Sequence, residues 1–506
     1  MTTAVEESSA LGRPRVIEPS ALGRPMVIEP AARKHLWTGF AVVLTAMIMN
    51  LLDSTIVNVA APSIQRNLGM SSSALEWIAA AYTLAIAVGL MTGGRLGDMF
   101  GRKRMLMTGL AGFVIASAAC AIAWSPSSLI TARVAQGLSA AMLTPQAFGL
   151  IRDLFPPAQM TKAFAALGPV IGLSTVAGPI VAGLLLKADL FGADWRALFL
   201  INLPLGAFAL AVGGRALPSR PAEHGKIRLD GTGTVVLAVA SFLLVFPLVD
   251  GRALGWPIWI FGVSAAAVPA LGMFIAHQRY RVRSGRTPLV EFSVLRKRSY
   301  VSGVAFVLVF FASIVGFSLT MGLFLQIGLG YTPIHASLLL AAMATGAFIC
   351  SGVGAWGATA VGRPILHIGL TIMAAGTVVL WLSLHLAHQT VSTLSLIPGL
   401  AVFGIGMGMI FVPLFSIIMG EIGDHEVGSA SGLLESVQQL GASLGVAVLA
   451  TLFFSTISLE KGGPPAAMAA GRGPLAAEQT LLVTLVLIGI AFAAGWLLPR
   501  RARQMH

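Results

Sequence analysis

Apolar residues run along this chain in long blocks separated by short polar connections. Uninterrupted apolar windows fall near 37–60, 75–96, 105–124, 127–150, 162–186, 197–215, 231–249, 255–276, 300–326, 334–357, 364–385, 393–419, 435–457 and 478–498. Each holds about 20 residues, enough for a helix rising 1.5 Å per residue to cross a hydrocarbon core of roughly 30 Å. Fourteen such spans take roughly 280 residues of the 506, so the connections are short and consecutive helices are antiparallel neighbours. No folded soluble domain fits in what remains. A nucleotide-binding cassette is excluded by that space and by the lack of a G-x-x-x-x-G-K-[ST] loop. The pattern predicts an all-α polytopic membrane protein with 14 transmembrane helices.

Residues 1–36 break the pattern. ALGRPRVIEPS at 10–20 is followed at once by ALGRPMVIEPA at 21–31, a tandem duplication rich in proline, glycine and charge. It predicts a disordered cytoplasmic tail. No small-residue cleavage site with polar sequence beyond it follows the first apolar block, which therefore reads as a span and not as a secretory signal.

Composition sharpens this picture. Hydrophobic residues make up 56% and charged residues 10%, where soluble domains carry about 25% charged residues. A net charge of +13 in a soluble protein would raise nucleic acid as a partner, but its distribution argues otherwise. With the N-terminus inside, the cytoplasmic segments hold 26 of the 33 Lys and Arg, the outer segments hold 6, and Arg133 sits within the fourth span. That asymmetry predicts both termini in the cytoplasm. The basic excess is then an orientation signal and a grip on anionic lipid headgroups, with no nucleic-acid partner. Arg outnumbers Lys 26 to 7 and alanine and glycine abound, which suggests a GC-rich bacterial genome and a bacterial cytoplasmic membrane. Cys120 and Cys350 lie inside apolar blocks and read as small core residues.

Charges within spans need a reason, because each costs about 2.5–3.5 kcal/mol at mid-membrane on insertion scales. In span 1, Asn50, Asp53, Ser54 and Asn58 recur at i, i+3, i+4 and i+8, which predicts a polar stripe lining an aqueous cavity. In span 4, Arg133, Gln136 and Thr144 repeat the pattern with a cation. Asp53 and Arg133 both fall roughly 10 Å from the outer ends of their spans, a depth at which an ion pair or a shared water cluster can form. Two readings follow. One is a structural salt bridge with Asp53 permanently ionised. The other is a carboxylate that exchanges protons: an apolar surrounding disfavours its charged form, a nearby arginine favours it, and changing their separation loads or releases a proton. Glu435, at the inner end of span 13, is a second proton-coupling candidate or a snorkelling residue. Met47, Met49, Met142, Met321, Met343, Met407 and Met409 lie in spans that would surround a cavity, where methionine adapts to varied apolar shapes, or else they pack helix contacts. The nine histidines are scattered, with only His385 and His388 close, and no metal site, bound cofactor or nucleophile–base pair is indicated. The expectation is that this is not an enzyme.

The connection after span 2 reads GRLGDMFGRKR at 94–104. Gly94, Gly97 and Gly101 permit a tight turn and close helix approach, Asp98 can cap a helix N-terminus, and Arg102, Lys103 and Arg104 can bridge to acids on neighbouring helices. This segment resembles the signature cytoplasmic loop of the major facilitator superfamily. LDSTIVNVAAP at 52–62 resembles the first-helix motif of its fourteen-span drug:proton antiporter branch. LITARVAQG at 129–137 is similar to the fourth-helix motif, in which the arginine is linked to proton transfer. In span 5, GPIVAG at 178–183 resembles the antiporter motif of the exporters, where Pro179 removes a helix hydrogen bond and small residues at 178, 182 and 183 allow close contact. DWRALFLINLPLG at 194–206, FLQIGLGYTP at 324–333 and GSASGLLESVQQLGASLGVA at 428–447 resemble further segments of the same branch.

The resemblance implies two six-helix bundles, 37–215 and 300–498, enclosing a midplane site. Residues 216–299 would add two extra central helices and a basic cytoplasmic linker, and 499–506 a cytoplasmic tail. It implies a proton-coupled antiporter, a monomer in the membrane lipid, exporting amphipathic drugs, antibiotics or natural products by alternating access without a cofactor. Asp53, Arg133 and Glu435 would couple to protons, and Asn50, Asn58 and Gln136 would be polar residues of the cavity. Gly94, Gly97, Asp98, Gly101, Arg102 and Asp153 would form a gating network, and Gly178, Pro179 and Gly183 the antiporter motif. A dedicated exporter of one self-made metabolite is an alternative, and a nutrient importer or uniporter a more distant one. The chain departs from the family pattern at Gln438 and Met160, where arginine is common, and at VGRP, 361–364, which stands in place of a full second-half loop motif.

Overall fold

The structure, a computed structural model, describes residues 30–155, 178–219, 229–251, 253–286, 288–290, 292–387, 392–422, 427–458 and 472–499. All regular elements among them are helical: α1 (Pro30–Leu68), α2 (Ser72–Phe100), α3 (Arg102–Ala121), α4 (Pro126–Leu154), α5 (Gly178–Ala188), α6 (Arg196–Leu200), α7 (Asn202–Ala216), α8 (Gly231–Asp250), α9 (Ile258–Arg283), α10 (Phe292–Leu295), α11 (Arg298–Leu323), α12 (Pro333–Ala360), α13 (Pro364–Ala387), α14 (Thr393–Met419), α15 (Val427–Ser458) and α16 (Arg472–Gly495). Among the described residues, 12 segments are long and apolar enough to cross a membrane, with α6–α7 counted as one and α11 running on to Gly328. The expected count of fourteen is therefore not reached by that measure. The 29-residue α4 is long enough, but its polar residues keep it outside the twelve. α5 is the shorter apolar end of the fifth predicted span, whose beginning lies outside the described residues. So do residues 10–29 of the tandem repeat, Met160, His388 and residues 500–506. α1 starts at Pro30, inside the segment expected to be an unstructured tail.

Local chemistry sets the helix boundaries. Ser71 caps α2 through the Ala74 N–H at 3.2 Å. Ser125 and Ser128 form a reciprocal capping box ahead of α4, with Pro126 in the first turn, where its missing N–H costs nothing. Thr332 caps α12 one way, accepting from the His335 N–H, with Pro333 in the first turn.

The helices pack as two bundles with an added pair. In the first half α2 and α3 pack on α4, while α7 packs on α1 and α3; in the second half α12 and α13 pack on α14, and α11 on α15 and α16. α8 and α9 pair with each other, and α8 lies against both α2 and α15, covering the seam between halves. Trp77 Nε1 donates to Asp250 Oδ2 (2.8 Å), and the Thr92 and Thr234 hydroxyls meet at 2.8 Å, so α8 is tied to α2 near both ends.

The core is not one mass. A cluster confined to the first half joins Phe40, Val43, Leu106, Leu110, Phe113 and Leu150. A larger one joins the later part of α1, Ile56 to Ile64, to Phe317, Leu339 and Met343 of the second half. The two halves are thus sealed together at the end of α1 predicted to face outward. Lipid-facing positions carry exposed apolar side chains, such as Ile115, Ile258, Val268 and Trp356.

Candidate functional site: a buried charge cluster in the first bundle

Asp53 is fully buried where α1, α3, α4 and α7 converge. Its Oδ2 accepts from Arg133 Nη1 of α4, and its Oδ1 accepts from Gln136 Nε2 at 2.7 Å and Asn202 Nδ2 at 3.2 Å. Arg133 Nη1 also donates to Gln136 Oε1 (2.7 Å), and Arg133 Nε to the Ile78 carbonyl (3.2 Å). Ser117 Oγ accepts from Gln136 Nε2 (2.8 Å) and Asn202 Nδ2 (3.3 Å), and Cys120 Sγ lies 3.6 Å from Gln136 Oε1. The guanidinium carbon sits 3.9 Å above the centre of the Tyr82 ring. Burying an ion pair costs several kcal/mol per ion unless the geometry is good and the remaining lone pairs and protons are satisfied. Here the Gln136 and Asn202 amides of α4 and α7 and the Ile78 carbonyl of α2 supply those contacts, with Ser117 of α3 holding the amides in turn.

Asp53, Arg133 and Gln136 thus lie in one buried cluster, but the expected water-lined stripe on α1 is not what forms. Adjacent helix residues point about 100° apart, so a stripe at 50, 53, 54 and 58 straddles a helix–helix contact. Asp53 turns into the bundle with no exposure, Ser54 is exposed with its hydroxyl bonded to the Leu51 carbonyl (2.8 Å), and Asn50 is half-buried. Asn50 accepts from Tyr82 OH at 2.6 Å and donates to Thr144 Oγ1 at 3.3 Å. The side chain of Asn58 lies outside the described residues. Glu435 is not part of the cluster. It is half-buried on α15, where Gln439 Nε2 donates to its Oε1 at 3.3 Å. Of the seven methionines, Met49, Met321, Met343, Met407 and Met409 are buried in the hydrophobic clusters, as packing residues are.

The GRLGDMFGRKR segment is mostly helix. α2 runs through Phe100, and Gly101 alone, at φ 90°, makes the turn into α3. Asp98 therefore lies within α2, and the N-cap of α3 is Gly101 without a side-chain bond, which corrects the capping role expected for Asp98; its side chain lies outside the described residues. Gly97 is the close approach: a Cβ there would collide with the Gln146 side chain, whose Nε2 donates to the Gly93 carbonyl at 2.8 Å. A Cβ on Gly94 would make only an ordinary van der Waals contact, with Pro145 Cβ at 3.8 Å. Arg102 Nη1 reaches Asp153 Oδ2 and the Gly149 carbonyl, both at 3.3 Å, joining α3 to the end of α4.

In the GPIVAG segment a Cβ on Gly178 would strike Thr55 Oγ1 of α1, and one on Gly183 would lie 2.9 Å from Ile334 Cα and 2.8 Å from Ser337 Oγ of α12. Pro179 is half-buried between them. The two glycines therefore let α5 touch both halves.

Sequence reasoning missed Asn202, Ser117 and Tyr82. Asn202 left a usable signal, as a lone amide in the apolar stretch 197–212. Ser117 and Tyr82 left less, since serine and tyrosine are ordinary in spans.

Two packed bundles of long apolar helices, the first with an ion pair buried inside it, define a multi-pass membrane protein. Residues 43–446 match the Major Facilitator Superfamily, and the chain belongs to that family. It is 44% identical to the "Probable actinorhodin transporter" of Streptomyces coelicolor over 424 residues, 83% of this chain and 73% of that one. It is 33% identical to the "Tetracenomycin C resistance and export protein" of Streptomyces glaucescens, over 83% of this chain and 76% of that one. Among solved structures, a bacterial homologue of the human lysosomal transporter Spinster aligns with a TM-score of 0.63 at 15% identity, covering 92% of this chain and 96% of that one. At that identity the likeness shows the fold.

Proposed function

We propose that the protein exports an amphipathic antibiotic or related natural product from the cytoplasm in exchange for protons. The observation that carries this is the enclosed Asp53–Arg133 pair, an ionisable group inside a membrane bundle with its cation on a different helix. With Arg133 on Asp53 the guanidinium occupies Oδ2. When the helices shift and Arg133 withdraws, Oδ2 takes a proton, while Gln136 and Asn202 still hold Oδ1. Re-closure of Arg133 expels that proton on the other side. A proton moving inward down 100 mV yields about 2.3 kcal/mol, so one or two protons drive a substantial gradient of substrate.

The contacts of α5 with both halves and the seal at the end of α1 support alternating access, and the charge asymmetry of the connections supports cytoplasmic termini. A dedicated exporter of one metabolite is favoured over a broad multidrug pump by the 44% identity to a transporter named for a single compound. The test is transport in everted vesicles with actinorhodin and ethidium as probes. Pumping of actinorhodin that collapses with a protonophore and is lost in Asp53→Asn is expected. Undiminished proton-driven export by Asp53→Asn refutes the coupling role, and equal pumping of ethidium refutes the dedicated specificity.

A further inference from the structure

Tyr82 takes no part in the proton step described above, yet it is the residue on which the arginine rests. It is 1% exposed, its ring lies under the Arg133 guanidinium at 3.9 Å, and its hydroxyl is not spent on the ion pair but donated outside it, to Asn50 Oδ1 at 2.6 Å. Asn50 in turn donates to Thr144 at 3.3 Å, and both Asn50 and Thr144 are half-buried. The guanidinium carbon lies over the ring while its N–H groups bond Asp53, Gln136 and the Ile78 carbonyl, so the ring contact adds to those bonds without replacing them.

We propose that Tyr82 is a positioning residue for proton exchange: it holds Arg133 on Asp53, and the Asn50–Thr144 pair fixes the tyrosine in turn. The inference rests on the reading of Asp53 as the exchanging carboxylate. The groups around the Asp53–Arg133 pair from the packed elements are Tyr82 and the Ile78 carbonyl on α2, which meet Arg133, Ser117 and Cys120 on α3, which meet Gln136, and Arg133, Gln136 and Asn202 on α4 and α7, which meet Asp53 itself. Arg133 is the sole cation among them and Tyr82 the one aromatic face under it at this range, with Phe199 farther off at 5.9 Å. Weakening the hold of Tyr82 frees Arg133 from the carboxylate, so proton uptake extends to higher pH. Severing the hydroxyl tie from either side, in Tyr82→Phe or Asn50→Ala, has the same sign and a smaller size than removing the ring.

The test reads the proton directly in the purified full-length protein. Infrared difference spectra across a pH titration are expected to contain a protonated-carboxyl band that is absent from Asp53→Asn. Its midpoint should rise by about one pH unit in Tyr82→Leu, the size of a desolvated cation–π contact at 1.36 kcal/mol per unit. In Tyr82→Phe and Asn50→Ala it should rise by a fraction of that. Tyr82→Phe keeps the ring volume and serves if Tyr82→Leu does not fold. A general loss of packing lowers thermal stability without moving the midpoint, so a band that titrates at the wild-type pH in all three variants overturns the role of Tyr82 while leaving Asp53 in place. No titrating band removed by Asp53→Asn overturns both.

Discussion

Asp53→Asn tests the energetics of the buried pair most directly. The substitution keeps the side-chain shape, but every partner around Asp53 is a donor: Arg133 Nη1 on one oxygen, Gln136 Nε2 and Asn202 Nδ2 on the other. An asparagine carries one acceptor and one donor, so either orientation sets its amide nitrogen against another N–H. It also leaves the Arg133 charge, 1% exposed, without a counter-ion. Breaking one side of a buried pair costs about 3–5 kcal/mol, and the misdirected amide is part of that sum. The double variant Asp53→Asn/Arg133→Met removes the charge and the clash together, because the amide oxygen can then accept from Gln136 and Asn202. Replacing a buried pair by uncharged groups is often close to neutral, so the double variant is expected to recover most of the loss. Reaction of the cysteines Cys120 and Cys350 with a thiol-specific dye during heating reports unfolding, since Cys120 is buried and Cys350 half-buried. A single variant that unfolds at the wild-type temperature, or a double variant no better than the single, would refute the reasoning.

Three further outcomes follow from the geometry. Gly183→Leu drives a side chain into Ile334 and Ser337 of α12; overpacking of about 1–3 kcal/mol should hold the two halves apart, seen as increased labelling of an introduced Ser337→Cys by impermeant thiol reagents. Arg102→Ala removes an ion pair whose arginine side chain is 40% exposed, so the stability loss should stay within about 1 kcal/mol while the transport rate falls if the pair gates the bundle; an unchanged rate removes it from the gate. Asp230, the N-cap of α8, is buried, which pushes its carboxyl up, but bonds from His277 (2.8 Å), the Gly233 N–H and Gln278 (2.6 Å) with the nearby Arg281 charge outweigh this and hold it below the usual carboxylate range. A lowered value means that its stabilisation is fully present above the unfolded-chain range near about 3.9 and is lost as pH falls through the lowered one. Amide exchange at the start of α8 should be flat from pH 7 down to about 4, after correction for intrinsic rates, and accelerate only below it, and Asp230→Ala should exchange faster by the roughly 1 kcal/mol of a lost cap.

The spans were legible because bilayer thickness imposes a length that apolar runs reveal directly; 393–419 and 231–249 agree with α14 and α8 to within a residue. Polar ends were not. The hydrophobic window ends near 60 in the first span, while α1 runs to Leu68, since helix propensity continues where hydropathy stops. Asp53 and Arg133 stood out because charge inside a span is costly, but hydropathy says nothing about which way a side chain turns within a crowded bundle. The stripe on α1 was therefore read as facing water when half of it faces α3, α4 and α7. Asn202 and Tyr82 are recruited by tertiary contact alone. The Gly97–Gln146 contact was legible as a need for small residues, but its partner was not, since nothing in the sequence says which helix lies opposite.

α2 is the element that brings these features together. One of its faces carries Tyr82 under Arg133 and then Gly89, Gly93 and Gly97, two steps of four residues, each glycine pressed against α4 so closely that a Cβ would meet Ala141 or Gln146. Its opposite face carries Ala80 and Leu84, packed with Val245 and Val249 of α8 and Ala447 of α15, and the Ala80 carbonyl accepts from Ser443 of α15 at 3.3 Å. Small residues at four-residue spacing let helices pack without intervening side chains, and close-packed interiors transmit displacement because they cannot deform gradually. A shift of α4 that moves Arg133 relative to Asp53 must therefore slide or tilt α2, and through α2 it reaches α8 and α15, the contact between the two halves. Side chains inserted at Gly93 should uncouple the two events: Gly93→Val is expected to leave α2 against α15 but to displace it from α4. Proton uptake would then persist in the infrared titration while export stops.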